Sequence, residues 1–327
     1  MTTYIELKGQ DIQVVSSDPS NPTLGQIWYN TSSNQLKGFR ASSGGVWSTG
    51  TSTNISREKL EAVGVYTAAL AFGGATSGQS PSMGGNTAKA EKWNGSSWTT
   101  DSNSMNNGRS TLRGAGTQTA AVGFGGYSSP PFVKYSQTEN YNGSSWTVAP
   151  GSLPFANNVM GGFGTQTAAV SCGGAESPNS ATFNYNGSSW TASGAMNTGR
   201  KDMGSVGTQT AGLIFSGNPD PTPVRQATEK YNGTSWTNTG NFGSGRYSMG
   251  SSGTQTAALA FGGGFPLEGL TEQFNGSTWS TKNVMGSTRY NLAGCGTTSN
   301  SIAVNGSQSG STTQVEDWNP EATVAIF

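Results

Sequence analysis

The sequence predicts an all-β protein: a six-bladed β-propeller of four-stranded blades, preceded by a small N-terminal β module. Three observations predict it: a turn phrase recurring with a period near 45 residues, a second phrase interleaved with it, and no stretch with helical periodicity. The first phrase is an aromatic residue, Asn-Gly, two small hydroxyl residues and Trp. It reads WNGSSW at 93–98, YNGSSW at 141–146 and 185–190, YNGTSW at 231–236 and FNGSTW at 274–279, with a degenerate sixth copy at Trp318-Asn319-Pro320. The second phrase is GTQTAA, then a short apolar run and usually Gly-Gly. Its copies begin at Gly64, Gly116, Gly164, Gly207, Gly253 and Gly296, the first and last being the least regular.

A period of this length leaves few architectures. Tetratricopeptide and ankyrin repeats are shorter, and HEAT repeats need Leu-rich amphipathic helices. With 49 Gly in 327 residues, the chain is poor helix material. TAAVGF at 119–124 and TAALAF at 256–261 read as strands. Asn-Gly between strands marks a hairpin, because both residues tolerate φ > 0. Four strands per repeat and six repeats close radially.

Gly-Gly at 73–74, 125–126, 173–174 and 262–263, with an aromatic and a Trp flanking the outer hairpin, resembles the kelch family over residues 46–318. The resemblance implies kelch-like blades. Two departures stand out: the aromatic-to-Trp gap is short, and Ser216 and Asn305 replace the first glycine in the fourth and sixth copies.

Charge follows the repeat. Seven residues before each second-phrase glycine stands Arg57, Arg109, Arg200, Arg246 or Arg289; two residues before each hairpin aromatic stands Glu91, Glu139, Glu229, Glu272 or Glu316. The third repeat loses both, carrying Asn157 and Phe183. The pattern predicts five internal Arg–Glu ion pairs, one per blade, since an Arg fork fits a carboxylate. The rival arrangement is a ring of arginines in the channel that binds an anion.

Residues 1–45 form a separate unit, an N-terminal β-hairpin attachment module; residues 46–327 form the propeller. Tyr4-Ile5-Glu6-Leu7 is strand-like, 18–22 is a turn-rich linker, and 25–39 (GQIWYNTSSNQLKGF) reads as a hairpin around a four-residue polar turn. The strand at about 46–50, containing Trp47, is expected to complete the last blade, with ATVAIF at 322–327 competing for the slot. The phrase at 25–39 resembles a short element recurrent in tailed-phage virion proteins, especially tail and fibre proteins of marine phages. That resemblance implies a structural virion protein of the tail or fibre. Its partners would be other virion tail proteins through the N-terminal module, and a host-surface glycan or protein at the propeller. It would be made in the host cytoplasm and be homo-oligomeric in the particle.

Several chemistries are disfavoured. There is no His, which removes the commonest general base and transition-metal ligand. The net charge is zero, charged residues are 10%, and no apolar run is long enough to span a bilayer. Neither nucleic acid binding nor membrane insertion is expected. The N-terminus lacks the basic and apolar regions of a signal peptide. Cys172 and Cys295 read as small packed hydrophobes, and no metal or cofactor is expected. The Asn-Gly-Ser/Thr sequons read as turns rather than glycosylation acceptors. The hairpins lack the Asp of a sialidase-type box, and Glu176, Asp202, Asp220 and Glu268 show no glycosidase pairing. No catalytic residue is therefore assigned. The segments after each Gly-Gly vary in length, as binding loops do; the aromatic ones offer Tyr127, Pro131, Phe132, Tyr135, Phe265 and Leu267 as contacts. A free kelch-type scaffold for protein partners is the alternative function, and a carbohydrate-active propeller enzyme a weaker one.

Overall fold

Each outer hairpin is built by its asparagine. In the computed structural model, Asn94 Oδ1 accepts the backbone N–H groups of Ser96 and Ser97, both at 2.9 Å. Asn142, Asn186, Asn232 and Asn275 do the same. Only the glycine of each phrase takes positive φ, between 92° and 100°. The turn is therefore a four-residue loop capped by a side chain, not the two-residue turn with both residues at φ > 0 that Asn-Gly suggests.

The structure describes residues 12–23, 25–76, 85–129, 131–176, 179–218, 226–264 and 268–326, without the side chains of 40–43 and 320–326. The expected strand at Tyr4–Leu7 lies outside them. The chain divides into one unit of Met1–Gly45 with Pro320–Phe327 and another of Val46–Asn319.

In the first unit β1 (Gln13–Val15) pairs in parallel with β2 (Ile27–Asn30), which pairs antiparallel with the start of β3 (Gln35–Thr49). Asn30 faces Gln35 across the turn 31–34. The polar residues of this segment converge on Asp18. Its Oδ1 accepts Trp28 Nε1–H at 3.0 Å and Asn30 Nδ2–H at 2.6 Å, and Lys37 Nζ lies 2.9 Å from Oδ2. The Lys37, Asn30 and Trp28 contacts hold the Asp18 carboxyl down at about 2. Trp28 is fully buried.

The second unit is a propeller of six blades. Blade one is β4 (Glu61–Val65), β5 (Ala68–Phe72), β6 (Ala90–Trp93) and β7 (Trp98–Thr100). Blade two is β8 (Arg113–Gly116), β9 (Ala121–Phe124), then a small hairpin of β10 (Tyr127–Ser128) and β11 (Val133–Lys134), then β12 (Thr138–Tyr141) and β13 (Trp146–Val148). Blade three is β14 (Gly161–Thr165), β15 (Ala168–Cys172), β16 (Thr182–Tyr185) and β17 (Trp190–Ser193). Blade four is β18 (Gly204–Thr208), β19 (Ala211–Phe215), β20 (Thr228–Tyr231) and β21 (Trp236–Thr239); blade five is β22 (Gly250–Gly253), β23 (Ala258–Phe261), β24 (Thr271–Phe274) and β25 (Trp279–Lys282). Blade six has β26 (Ala293–Gly296), β27 (Ser301–Val304) and the start of β28 (Val315–Ile326), and β3 supplies its outer strand. Gly50 N donates to Val315 O at 2.9 Å beside that strand. Residues 322–327 belong to the first unit.

The core lies between blades, in six clusters that each draw on two neighbours. A hairpin Trp of one blade packs on a Phe of the blade before: Trp146 on Phe72, Trp190 on Phe124, Trp236 on Phe163, Trp279 on Phe215 and Trp47 on Phe261, with ring centroids 4.7 to 6.4 Å apart. The indole N–H groups of Trp190, Trp236, Trp279 and Trp47 reach the hydroxyls of Thr138, Thr182, Thr228 and Thr271 at 2.8 to 3.0 Å. A second latch is the Gln of GTQT. Gln118, Gln166, Gln209 and Gln255 each donate Nε2–H to two carbonyls of the preceding blade, as Gln118 does to Ala69 O and Trp93 O.

The two departures from Gly-Gly are accommodated locally. Ser216 and Asn305 keep the left-handed conformation, at φ 56° and 55°. Ser216 Oγ donates to Arg246 O at 2.6 Å and accepts Arg246 N–H at 2.9 Å; Asn305 donates to Ile55 O at 2.8 Å. Each replaces glycine freedom with a bond to the next stretch of chain.

At one end of the channel the backbone forms a closed ring. Thr111 N donates to Lys59 O, Val159 N to Thr111 O, Asp202 N to Val159 O, Ser248 N to Asp202 O, Asn291 N to Ser248 O and Lys59 N to Asn291 O, at 2.8 to 3.1 Å. All six residues have φ between 51° and 56°. That conformation is costly for β-branched Thr111 and Val159, and it persists because both neighbours hold each residue.

Trp98 and Trp146 lack an indole acceptor among the described residues. At the positions where other blades present threonine stand Val315 and Ala90, in the same clusters as Trp98 and Trp146 respectively. Ala90→Thr and Val315→Thr are expected to supply the missing hydroxyls, each stabilising the protein by about 1 kcal/mol in urea unfolding.

Candidate functional site

The five Arg–Glu pairs are present and buried. Arg57–Glu91 is at 2.5 Å, Arg109–Glu139 at 2.8 Å, Arg246–Glu272 at 2.5 Å and Arg289–Glu316 at 3.0 Å, with Arg200–Glu229 likewise in contact. All five arginines are 0% exposed. The Arg comes from the segment entering a blade and the Glu from its third strand, so each pair ties a linker to its sheet. The guanidinium also donates to the carbonyl two residues before its Glu: Lys89, Gln137, Ala227, Leu270 or Gln314. Arg57, Arg200, Arg246 and Arg289 reach a further carbonyl, of Gly73, Ser216, Gly262 or Asn305. Glu91, Glu139, Glu229 and Glu316 in turn accept the backbone N–H of Asn54, Asn106, Asn197 and Gly286. Burial pushes the guanidinium of Arg57 down to about 10, and those of Arg109, Arg246 and Arg289 in the same direction. Enclosed and tied to carboxylates and carbonyls, these arginines do not form a ligand ring in the channel; that rival arrangement is excluded by their burial.

Blade three shows what replaces a pair. Asn157 keeps one carbonyl contact, donating Nδ2–H to Gly173 O at 2.9 Å. Phe183 takes the place of the Glu and meets Phe155 edge-on, centroids 5.6 Å apart. An aromatic contact thus stands where the other five blades place two charges.

The loop residues fare differently from one another. Pro131 and Phe132 are exposed, Phe132 at 71%, at the tip of the β10–β11 hairpin. Tyr127 is half-buried, and its backbone pairs with Ser110. Tyr135 is turned inward: its ring lies 5.6 Å from the Arg109 guanidinium and its hydroxyl 3.2 Å from Ser128 Oγ. Lys134 forms an exposed ion pair with Glu176 of blade three. Phe265 and Leu267 lie outside the described residues. Cys172 and Cys295 are buried free thiols, pushed up to about 12 by desolvation.

Sequence reasoning missed two groups. The Gln latches sit inside a phrase read only as a repeat marker, although a polar amide held at one fixed position in four copies is itself a signal. Glu61 and Arg113, 3.7 Å apart on the innermost strands, do not recur and carried no periodic signal.

The sheets and their wiring define a six-bladed β-propeller. The fold is similar to the solved structure entitled "Structure of YjhT", with a TM-score of 0.66 and 12% identity, over 84% of this chain and 99% of that chain; at that identity the likeness concerns the fold alone. No protein-family model matches the sequence, and no curated protein matches it.

Removing Arg109 alone, as in Arg109→Met, strands Glu139 and is expected to cost about 3–5 kcal/mol in denaturant unfolding. The double change Arg109→Asn with Glu139→Phe, which copies blade three, is expected to cost markedly less.

Proposed function

We propose that the protein is a non-enzymatic virion component of a tailed phage, on the tail or a fibre. The N-terminal module attaches it to other virion tail proteins, and the kelch-like propeller is a structural or host-surface-binding head. The observation that carries this reading is the phrase at 25–39, which resembles an element of phage tail and fibre proteins. Its Trp28, Asn30 and Lys37 are gathered on the single carboxylate of Asp18, so the phrase encodes a folded unit rather than a linker. A non-catalytic role is supported by the ionisable residues that recur, since the repeated Arg and Glu are buried in pairs. Host contact through a glycan or protein is supported by the exposed Pro131 and Phe132 on an insertion that only blade two, among the described residues, builds as a hairpin.

Mass spectrometry of purified particles, with immunogold labelling by antibodies against the propeller, is expected to place the chain on the tail. Recovery only from the soluble host fraction overturns the proposal, and turnover of a glycoside by the recombinant chain overturns its non-enzymatic part. On particles that carry the chain, Phe132→Ala is expected to weaken host attachment by roughly tenfold, measured by adsorption kinetics.

A further inference from the structure

The inner strands carry an asymmetry that the repeats do not explain. Three residues before the second-phrase glycine, the six blades place Glu61, Arg113, Gly161, Gly204, Gly250 and Ala293. Two neighbouring blades thus set opposite charges where the other four have nothing larger than a methyl group. Both line a cavity of about 140 Å³ bounded by the six inner strands, whose walls are otherwise glycine backbone, serine hydroxyls and apolar side chains that include Leu60, Phe163, Met203 and Met249.

Arg113 differs from the five paired arginines. Its Nε donates to Met160 O at 2.7 Å, which fixes the plane of the guanidinium. Its Nη1 stands 3.7 Å from Glu61 Oε2, close enough for attraction and too far for a hydrogen bond. Neither terminal nitrogen has a hydrogen-bond acceptor among the described residues. The side chain is 19% exposed, and its partner 15%. This is a positioned fork with unused donors facing a polar space, the geometry that suits a carboxylate.

We propose that the channel cavity binds a small monovalent carboxylate, of acetate or lactate size, through the free edge of the Arg113 guanidinium with Glu61 beside it. The volume supports this class. It exceeds the space of a single water several-fold, enough for a small organic anion. Burial raises the carboxyls of Glu61, to about 7, and of Asp202, which draws both toward their neutral forms and leaves less negative charge beside the guanidinium to compete with an anion. The groups facing Glu61 are Arg113 and Cys295; those facing Asp202 are Arg113, Lys59, Lys201 and Ser248. Arg113 also borders the small space at the hydrogen-bonded ring, with Lys59 and Asp202.

The test is calorimetric titration of the full chain with sodium acetate against sodium chloride at equal ionic strength, at about pH 6 and about pH 8. Below the Glu61 titration its carboxyl is neutral and donates to the anion; above it a second carboxylate competes for Arg113. Saturable acetate binding is expected at the lower pH, about tenfold weaker at the higher. Glu61→Gln is expected to hold binding at its low-pH strength at both values. Arg113→Gln is expected to lose it, and Arg113→Lys, which keeps the charge without the fork, to weaken it at least about tenfold. Binding of acetate no better than chloride overturns the proposal, as does binding that survives both Arg113 changes. Should the Arg113 variants fail to show the wild-type melting transition, Glu61→Gln decides: a pH dependence unchanged from wild type overturns it.

Discussion

The buried Arg–Glu pair is the interaction on which the blades depend. A four-stranded sheet of small residues has little apolar surface of its own, and the segment entering it must be held without a helix or a disulfide. Each arginine does this by joining a linker to carbonyls at the edge of the sheet and to a carboxylate on the third strand. Taking two charges out of water is costly, and the cost is offset only when every remaining donor and acceptor is satisfied. Here most are: Glu91 also takes Asn54 N–H at 2.6 Å, and Glu316 takes Gly286 N–H at 2.6 Å. The Nε of Arg57, Arg109 and Arg289 is left without a partner. Blade three, with Asn157 and Phe155–Phe183, solves the same problem with fewer charges.

Blade-to-blade cohesion is a second layer laid over this one. Aromatic stacking joins neighbouring sheets, and the Trp–Thr and Gln–carbonyl bonds add directional polar contacts across the same seams. These latches are not evenly distributed. The junction of blades six and one has Tyr66 in place of the Gln and Val315 in place of the Thr. It is instead crossed by the chain itself, where Thr53 and Arg57 reach back to Thr313 and Thr312 through their backbone N–H groups.

Much of this was legible in the sequence because the repeats act as internal controls. The strand order, the five ion pairs and their joint loss in blade three follow from positions that vary together. Trp47 could be placed in the last blade because it matched the tryptophans of five other hairpins. What stayed hidden falls into two kinds. The ring of Lys59, Thr111, Val159, Asp202, Ser248 and Asn291 is made of backbone alone, so six unrelated side chains occupy it and no pattern shows. Glu61 and Arg113 occur once each, and a repeat sequence conceals its singular residues among those that have merely drifted. The Asn-Gly turn was misread for a different reason: its asparagine has two possible uses, a left-handed backbone or a side-chain acceptor, and the spacing to Trp allows the second.

The ring of six amide bonds has a further consequence. Every member donates in one rotational sense and accepts from the other, so the circuit has no first residue and no last. Chain connectivity leaves no mark on it. A polypeptide beginning in any of the six blades would write the same circuit, and the covalent break could migrate from one inter-blade loop to another while the centre stayed intact. Adding or deleting a whole repeat is another matter, since a circuit of five or seven such residues has different angles at every joint. The centre of the propeller therefore counts blades and is indifferent to where the count begins.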